Sequence, residues 1–228
     1  MDKPGSRRGR THDAEGTREA ILDAAEAVFA EHGFDGARID AIAAAAGYNK
    51  SLIFQYFTDK LGLYAEVIRR ADDQTREMQN EALASLNAED AVNPPQLRSL
   101  LAGFVGWYFD YLAQNPHIKR IFMWEMAEGW QTFTKILSQR DFDDIDDFMP
   151  ILQKLQAAGL MRSEELHPML QLSPALFMCI TYLEILPLYD VMMPGVDTSS
   201  PAAMQSAKKF VVDFVVNGLL VNPAEAKP

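Results

Sequence analysis

The chain has 228 residues, 48% of them hydrophobic and 23% charged, and its 21 Lys and Arg against 32 Asp and Glu leave a formal charge of -11. Such a composition suits a globular protein with a substantial core, and the acidic balance excludes a broadly basic surface that would coat nucleic acid without placed contacts. The single cysteine, Cys179, excludes internal disulfides and suggests a reducing compartment; the N-terminal residues lack the apolar stretch of a secretory signal, so a cytoplasmic location is expected.

Residues 1–16 carry Lys3, Arg7, Arg8 and Arg10 and read as a flexible basic arm, suited to a DNA minor groove or to a mobile solubilising role. Thr17 is the expected N-cap of a first helix, in which Ile21, Ala24, Ala25, Val28 and Phe29 share one apolar stripe that stops at Gly33. Ile39, Ile42, Ala43 and Ala46 form a second, shorter stripe closed by Gly47, which can adopt the left-handed conformation that ends a helix. Asn49 then caps a third helix from Lys50 to Phe57. With only Gly47, Tyr48 and Asn49 between them, the second and third helices must cross steeply, which is helix-turn-helix spacing.

At about 100° per residue, Ile53 and Phe57 share the inward face of that third helix, whereas Ser51 and Gln55 point outward with Leu52 beside them. Lys50 sits in the first turn and can reach phosphate or a guanine edge. Lys60 opens the next helix and can hold backbone phosphate. The segment AIAAAAGYNKSLIFQYFTDKLGL resembles the DNA-binding signature of the tetracycline-repressor (TetR) family: Gly47, Ile53, Tyr56, Phe57, Lys60 and Leu63 fit its pattern, as do Gly33 and Phe34 after the first helix. The resemblance implies an all-α protein with an N-terminal three-helix helix-turn-helix DNA-binding head, residues 17–64, joined to a C-terminal helical-bundle body for ligand binding and dimerisation, residues 65–228. The residues expected at DNA are Thr17, Arg38, Tyr48, Asn49, Lys50, Ser51, Leu52, Gln55, Tyr56 and Lys60.

Three positions depart from the family pattern. Arg38 stands where a Thr is usual before the second helix, losing an N-cap but offering a longer phosphate ligand. Phe54 replaces the usual Tyr, so a hydroxyl that commonly bonds phosphate is missing. Leu52 stands where a small residue or Thr is more frequent and is suited to a thymine methyl. Packing of Leu52 and Phe54 against the first helix is the alternative for both.

Charge separates the head from the rest. The first seventy residues hold ten Lys or Arg and eleven Asp or Glu, while the remainder hold eleven and twenty-one. A negative body repels phosphate and helps orient the head, although at physiological salt the effect fades beyond about 8 Å. Helices are expected from Lys60 to about Leu86, from Pro94 to Gln114 and from Pro116 onward with an interruption at Gly129; Asn93 and Asn115 each look like an N-cap followed by a proline at the first helical position. A helix ending at Gly159 and two long apolar helices complete the chain.

All three tryptophans lie in the stretch from Trp107 to Trp130. Phe104, Trp107, Tyr108 and Tyr111 repeat at helical spacing, and Phe122, Glu125, Met126 and Trp130 follow. Ordinary core packing accounts for any one of these aromatics, but the family resemblance implies an effector pocket here, lined by these eight residues and suited to an apolar or aromatic small molecule. Glu125 falls on the stripe of Ile118, Ile121, Phe122 and Met126. A buried carboxylate needs a partner, either Arg98 or Arg120 within the chain or a cationic or hydroxylated effector.

The acidic run Asp141, Asp143, Asp144, Asp146 and Asp147 lacks the glycine and alternating ligands of a calcium loop and reads as a solvated helix start. The four histidines, at 12, 32, 117 and 167, show no ligand spacing, and no metal or cofactor is expected. Leu166 to Leu183 is free of formal charge, at the lower limit for a membrane span, but Pro168, Gln171, Ser173 and Pro174 argue against insertion. A final helix from Pro201 to Leu220 is its natural mate. The resemblance implies that these two helices pack against their copies in a homodimer, with Phe177, Ile180, Glu184, Phe210, Val211 and Phe214 at the interface. Pro174 and Pro187 should kink or delimit the first of the pair. Glu184 is open to three roles: pairing with Lys208 or Lys209 across the dimer, lining the pocket, or facing water.

The expected function is that of a ligand-responsive transcriptional regulator, a repressor that binds a palindromic operator in double-stranded DNA as a dimer and is released by its effector. An activator, or a regulator answering to a protein partner, would carry the same residues. The alternative of another class is a helical ligand-binding protein or enzyme without DNA binding. Against an enzyme stands the lack of any Ser/His/Asp or Cys/His constellation or phosphate loop, with Cys179 set in an apolar helix.

Overall fold

A computed structural model of the protein describes residues 7–87, 94–138, 149, 152–162 and 165–221. Nine named helices follow in order among the described residues: α1 (Arg7–Gly36), α2 (Ile39–Ala46), α3 (Lys50–Tyr56), α4 (Lys60–Asn87), α5 (Pro94–Gln114), α6 (Pro116–Ala127), α7 (Gln131–Leu137), α8 (Pro168–Met192) and α9 (Pro201–Leu219). The all-α expectation holds. The acidic run at 141–147, the cap at Asn93 and Lys3 of the arm lie outside the described residues.

The chain divides into two compact units. The first comprises residues 1–74 and 117–141, and the second residues 75–116 and 142–228. Thus α4 supplies residues to both, and α6 and α7 belong with the three-helix head instead of with the body in which a linear reading put them. The cause is local: α6 docks on α1, where the indole of Trp124 donates to the Ala30 carbonyl at 3.2 Å and the guanidinium of Arg120 donates to the same oxygen at 3.3 Å. At Gly33, where φ is 66°, a Cβ would meet the Trp124 ring at 3.0 Å, so glycine serves both the backbone turn and the close approach.

Helix α1 begins at Arg7, ten residues before the expected cap, so Thr17 lies in its interior and is buried. Gly9 and Gly16 weaken this stretch and Thr11 and Asp13 could each cap a later start, yet the helix runs through all four to reach Thr17. Gly33 still marks the kink where the apolar stripe stops. The core of the first unit collects Ile21, Leu22, Ala25 and Phe29 of α1, Ile42 of α2, Ile53 of α3 and Leu63, Tyr64 and Val67 of α4, all fully or almost fully buried. Phe29 meets Tyr64 edge-on at 4.8 Å between centroids, and Phe34 meets the same ring at 5.2 Å.

In the second unit α5 packs against both α8 and α9. Gly106 lets α9 come close, since a Cβ there would meet the Lys208 side chain at 3.2 Å. The Cys179 thiol of α8 is buried and lies 3.9 Å from the Val105 carbonyl, and burial pushes it up to about 12, which leaves it an inert core residue. An antiparallel bridge pairs Met161 with Leu220, with the Arg162 amide donating to Leu219 and the Val221 amide to Leu160.

Among the described residues α8 is the one helix long and apolar enough to cross a membrane by length and composition. It runs on through Pro174 and Pro187 without ending at either. Each interior proline costs about 3 kcal/mol in an isolated helix, a loss that packing of Ala175, Cys179, Ile180 and Leu183 into the unit can offset.

Candidate nucleic-acid interface

Local sequence sets the shape of the α2–α3 turn. Gly47 adopts φ 75° and ψ 20° and its amide caps the carbonyls of Ala43 and Ala44, while the Tyr48 amide donates to Ala43 at 3.0 Å. Asn49 follows in extended conformation, and its side-chain oxygen accepts from the Leu52 amide at 2.8 Å. Its side chain is therefore committed to starting α3. Asp59 does the same for α4, accepting from the Gly62 amide at 2.7 Å, a cap that apolar periodicity does not reveal but that the Thr-Asp-Lys sequence signals.

Helix α3 has the two faces its sequence implies. Ile53 and Phe57 are buried, Ser51 and Gln55 are exposed, and Leu52 and Tyr56 are half-buried on one flank. On the other flank lie Lys50 and Phe54, the latter 42% exposed. Lys50 lies 3.3 Å from the Asp40 carboxylate, an exposed pair that phosphate could replace at little cost. Arg38 is exposed at the N-cap position of α2, where its side chain makes no capping bond. Tyr48 is half-buried in the turn.

Lys60 departs from the simplest picture of a phosphate ligand. Its ammonium donates to the Asp35 carbonyl at 3.2 Å and sits 4.7 Å from the centre of the Phe34 ring, so it ties the start of α4 to the end of α1. Desolvation pulls its pKa down, with Asp35 and Glu128 acting the other way. Further along α4, Arg70 reaches Glu26 at 2.6 Å, Asp23 at 2.7 Å and Glu19 at 3.3 Å on α1, and Arg18 of α1 pairs with Glu66. Arg69 pairs with Glu66 at 2.9 Å and with Asp73. Arg18 and Arg70 thus brace α1 against α4, while the Arg69 pairs lie along α4 itself.

The eight residues expected at an effector pocket divide between the units. Along α5, in the second unit, Phe104 stacks on Tyr108 at 6.4 Å and Trp107 on Tyr111 at 5.5 Å. Burial, with smaller contributions from Cys179 and Tyr111, pushes the Tyr108 hydroxyl well above its ordinary pKa. In the first unit Phe133 gathers Phe122 at 6.3 Å and Trp130 at 5.8 Å, and Met126 is half-buried. Trp130 takes a left-handed φ of 63°, directly after Gly129, where a bulky side chain is strained.

Glu125 is 1% exposed and has internal partners, though neither is the arginine that sequence suggested. The Tyr64 hydroxyl donates to its Oε1 at 2.8 Å and the Phe133 amide donates to its Oε2 at 3.0 Å. Arg120 is turned to Ala30 and Arg98 to Asn217. Burial first, and then the bond to Glu125, pushes the Tyr64 hydroxyl far above its ordinary pKa, so it stays a donor. Tyr64 was missed because its partner lies 61 residues away and its own stripe explains it as core.

The expected dimer residues also sort by face. Ile180 and Val211 are buried inside the protomer, 2% and 0% exposed, because the inward stripes of α8 and α9 pass through them; they are not available to a second subunit. Phe210 and Phe214 point outward at 54% and 60% exposure, and Phe177 and Glu184 are half-buried. Lys208 pairs with Asp110 of α5 and Lys209 with Asp213 one turn on, so both cations offered to Glu184 have partners within the protomer.

A two-faced short helix that follows a glycine turn, on a braced helical platform, defines a helix-turn-helix DNA-binding protein. Residues 21–67 match the family model described as bacterial regulatory proteins, tetR family. Over 157 residues the chain is 30% identical to the HTH-type transcriptional repressor NicS of Pseudomonas putida, covering 68% of this chain and 70% of that protein. Over 116 residues it is 35% identical to the HTH-type transcriptional repressor SCO4008 of Streptomyces coelicolor, covering 51% of this chain and about half, 53%, of that relative's length. The fold is shared with a solved TetR family transcription regulator from Marinobacter aquaeolei, at TM-score 0.66 and 18% identity over 93% of this chain and 100% of that one. The chain belongs to the TetR family of bacterial transcriptional regulators, which bind DNA, act as dimers and are not enzymes.

Proposed function

We propose that this protein is a cytoplasmic repressor that binds a palindromic operator as a homodimer and leaves it when a small apolar or aromatic effector binds. The observation that carries this reading is the outer face of α3, where Ser51 and Gln55 are exposed while Ile53 and Phe57 hold the helix to its platform. Gln55 and Ser51 supply hydrogen bonds to base edges, and Lys50 and Arg38 supply phosphate contacts. Tyr48, Leu52 and Tyr56 flank them, Asn49 shapes the turn, and Lys60 and Thr17 act from behind by positioning α4 and α1. Two heads related by a dimer axis read half-sites about 34 Å apart.

The dimer is supported by the outward aromatic pair Phe210 and Phe214 together with Leu188, Val191 and Met192 of α8, all exposed in the protomer. An effector of apolar or aromatic character suits the stacked side chains of α5, where the Tyr108 hydroxyl, kept protonated, is a ready donor. Because α4 contributes to both units, a change in its tilt is the proposed route from effector to head. Linkage then requires that operator and effector weaken each other by the same factor.

Selection of bound sequences from random duplex DNA tests the reading. An enriched inverted repeat, released by an apolar or aromatic compound whose own affinity falls equally when operator is present, is the expected result. Failure to enrich any sequence would contradict it.

A further inference from the structure

Phe54 is the one large apolar side chain left exposed in the first unit among the described residues; the other exposed ones, from Leu166 onward, all belong to the second unit. Elsewhere in the head Phe29, Ile42, Ile53 and Leu63 are at 0% and Phe57 at 4% exposure, and Phe34, Ile39, Leu52 and Tyr56 are half-buried. Packing within the head therefore leaves much of the Phe54 side chain open, at 42% exposure. It stands on α3, one turn on from Lys50 and beside the outward pair Ser51 and Gln55, so it projects from the helix that enters the groove.

The ring has no donor or acceptor and cannot bond phosphate. In the major groove the apolar group that a side chain can meet at a base edge is the thymine C5-methyl. We propose that Phe54 is a specificity-determining residue that packs its ring on a thymine methyl in each half-site, so that this protein reads a T·A pair by apolar contact at a position where a hydroxyl would instead bind the backbone. The inference rests on the DNA-binding reading above and adds to it a base preference carried by a residue outside the hydrogen-bonding set.

The contact predicts a chemical signature. Burying one methyl against the ring is worth about fourfold in affinity, and a symmetric pair of half-sites about fifteenfold.

The experiment measures wild-type protein and Phe54→Ala against the palindrome enriched from random DNA and against the same duplex with single thymines replaced by deoxyuridine, which removes only the methyl. Wild type is expected to lose about fourfold per replacement at one symmetric thymine position, while Phe54→Ala binds the unmodified duplex more weakly and shows no further loss on replacement, the mark of a direct pairwise contact. Equal wild-type affinity for thymine and uracil duplexes at every position overturns the inference and points to a sugar or backbone contact. A methyl dependence that survives in Phe54→Ala also overturns it. If the wild-type protein enriches no sequence, the DNA-binding reading itself fails and this inference falls with it, an outcome distinct from the other two.

Discussion

The head and the α8–α9 pair treat their apolar residues in opposite ways. In the first unit Ile21, Leu22, Phe29, Ile42, Ile53 and Leu63 are wholly buried, and ion pairs from Arg18 and Arg70 seal the outside of α1 and α4. In the second unit Leu170, Leu188, Val191, Met192, Phe210 and Phe214 are each more than half exposed. Apart from Phe54, the first leaves no large apolar side chain exposed among the described residues. The second leaves several, and a face of that kind in a folded domain marks an interaction surface. In the function proposed above, the head keeps its shape and offers polar groups to DNA, and the terminal helices are completed by another copy.

Breaking the second region should have the largest consequence for binding. Charging both outward aromatics, Phe210→Glu with Phe214→Glu, is expected to give a folded monomer by sedimentation and to reduce affinity for a palindrome by about 10²–10⁴-fold, the gain that linking two sites ordinarily provides. Both side chains are exposed in the protomer, so the variant should still fold by circular dichroism, melting below the wild-type dimer because the stabilisation from association is lost.

Breaking the first region acts on stability instead. Phe29→Ala removes a wholly buried ring that packs on Tyr64 and should lower unfolding free energy by about 3–5 kcal/mol in urea titrations. Tyr64→Phe keeps the ring and removes only the donor to the buried Glu125, with an expected cost of about 1–3 kcal/mol. An unchanged midpoint for Tyr64→Phe would mean that water or another donor takes the hydroxyl's place. The smallest effect is expected for Lys50→Ala, which should leave melting unaltered and reduce by about one the slope of log affinity against log salt.

How much of this was legible in the sequence follows the same division. Short-range signals worked: Gly47 and Asn49 gave the turn, the Asn-Pro pairs gave the starts of α5 and α6, and the 100° periodicity put Ile53 inward and Gln55 outward. Long-range pairings did not show. The bond from Tyr64 to Glu125, the docking of Trp124 on Ala30 and the association of α6 and α7 with the head join residues distant in sequence, and nothing local to either partner announces them.

Face assignment on α8 and α9 failed in part for a related reason. Both sides of these helices are apolar, so periodicity could not say that Ile180 and Val211 turn inward while Phe210 and Phe214 turn outward. The start of α1 is hidden in the sequence because Thr17 resembles a cap, whereas the helix begins at Arg7 and runs through it. Phe54 is the instructive case at the interface: sequence leaves packing and DNA contact open, and its 42% exposure is the observation on which the proposed thymine contact rests.

The coupling of a complete head to an incomplete dimer face is tested most directly by the mass and affinity of the protein–DNA complex, measured by analytical ultracentrifugation on the enriched palindrome and on a duplex carrying one half-site alone. Two chains on the palindrome, with the single half-site bound at least about a hundredfold more weakly, is the expected result. One chain per duplex, or equal affinity for the two, would contradict it.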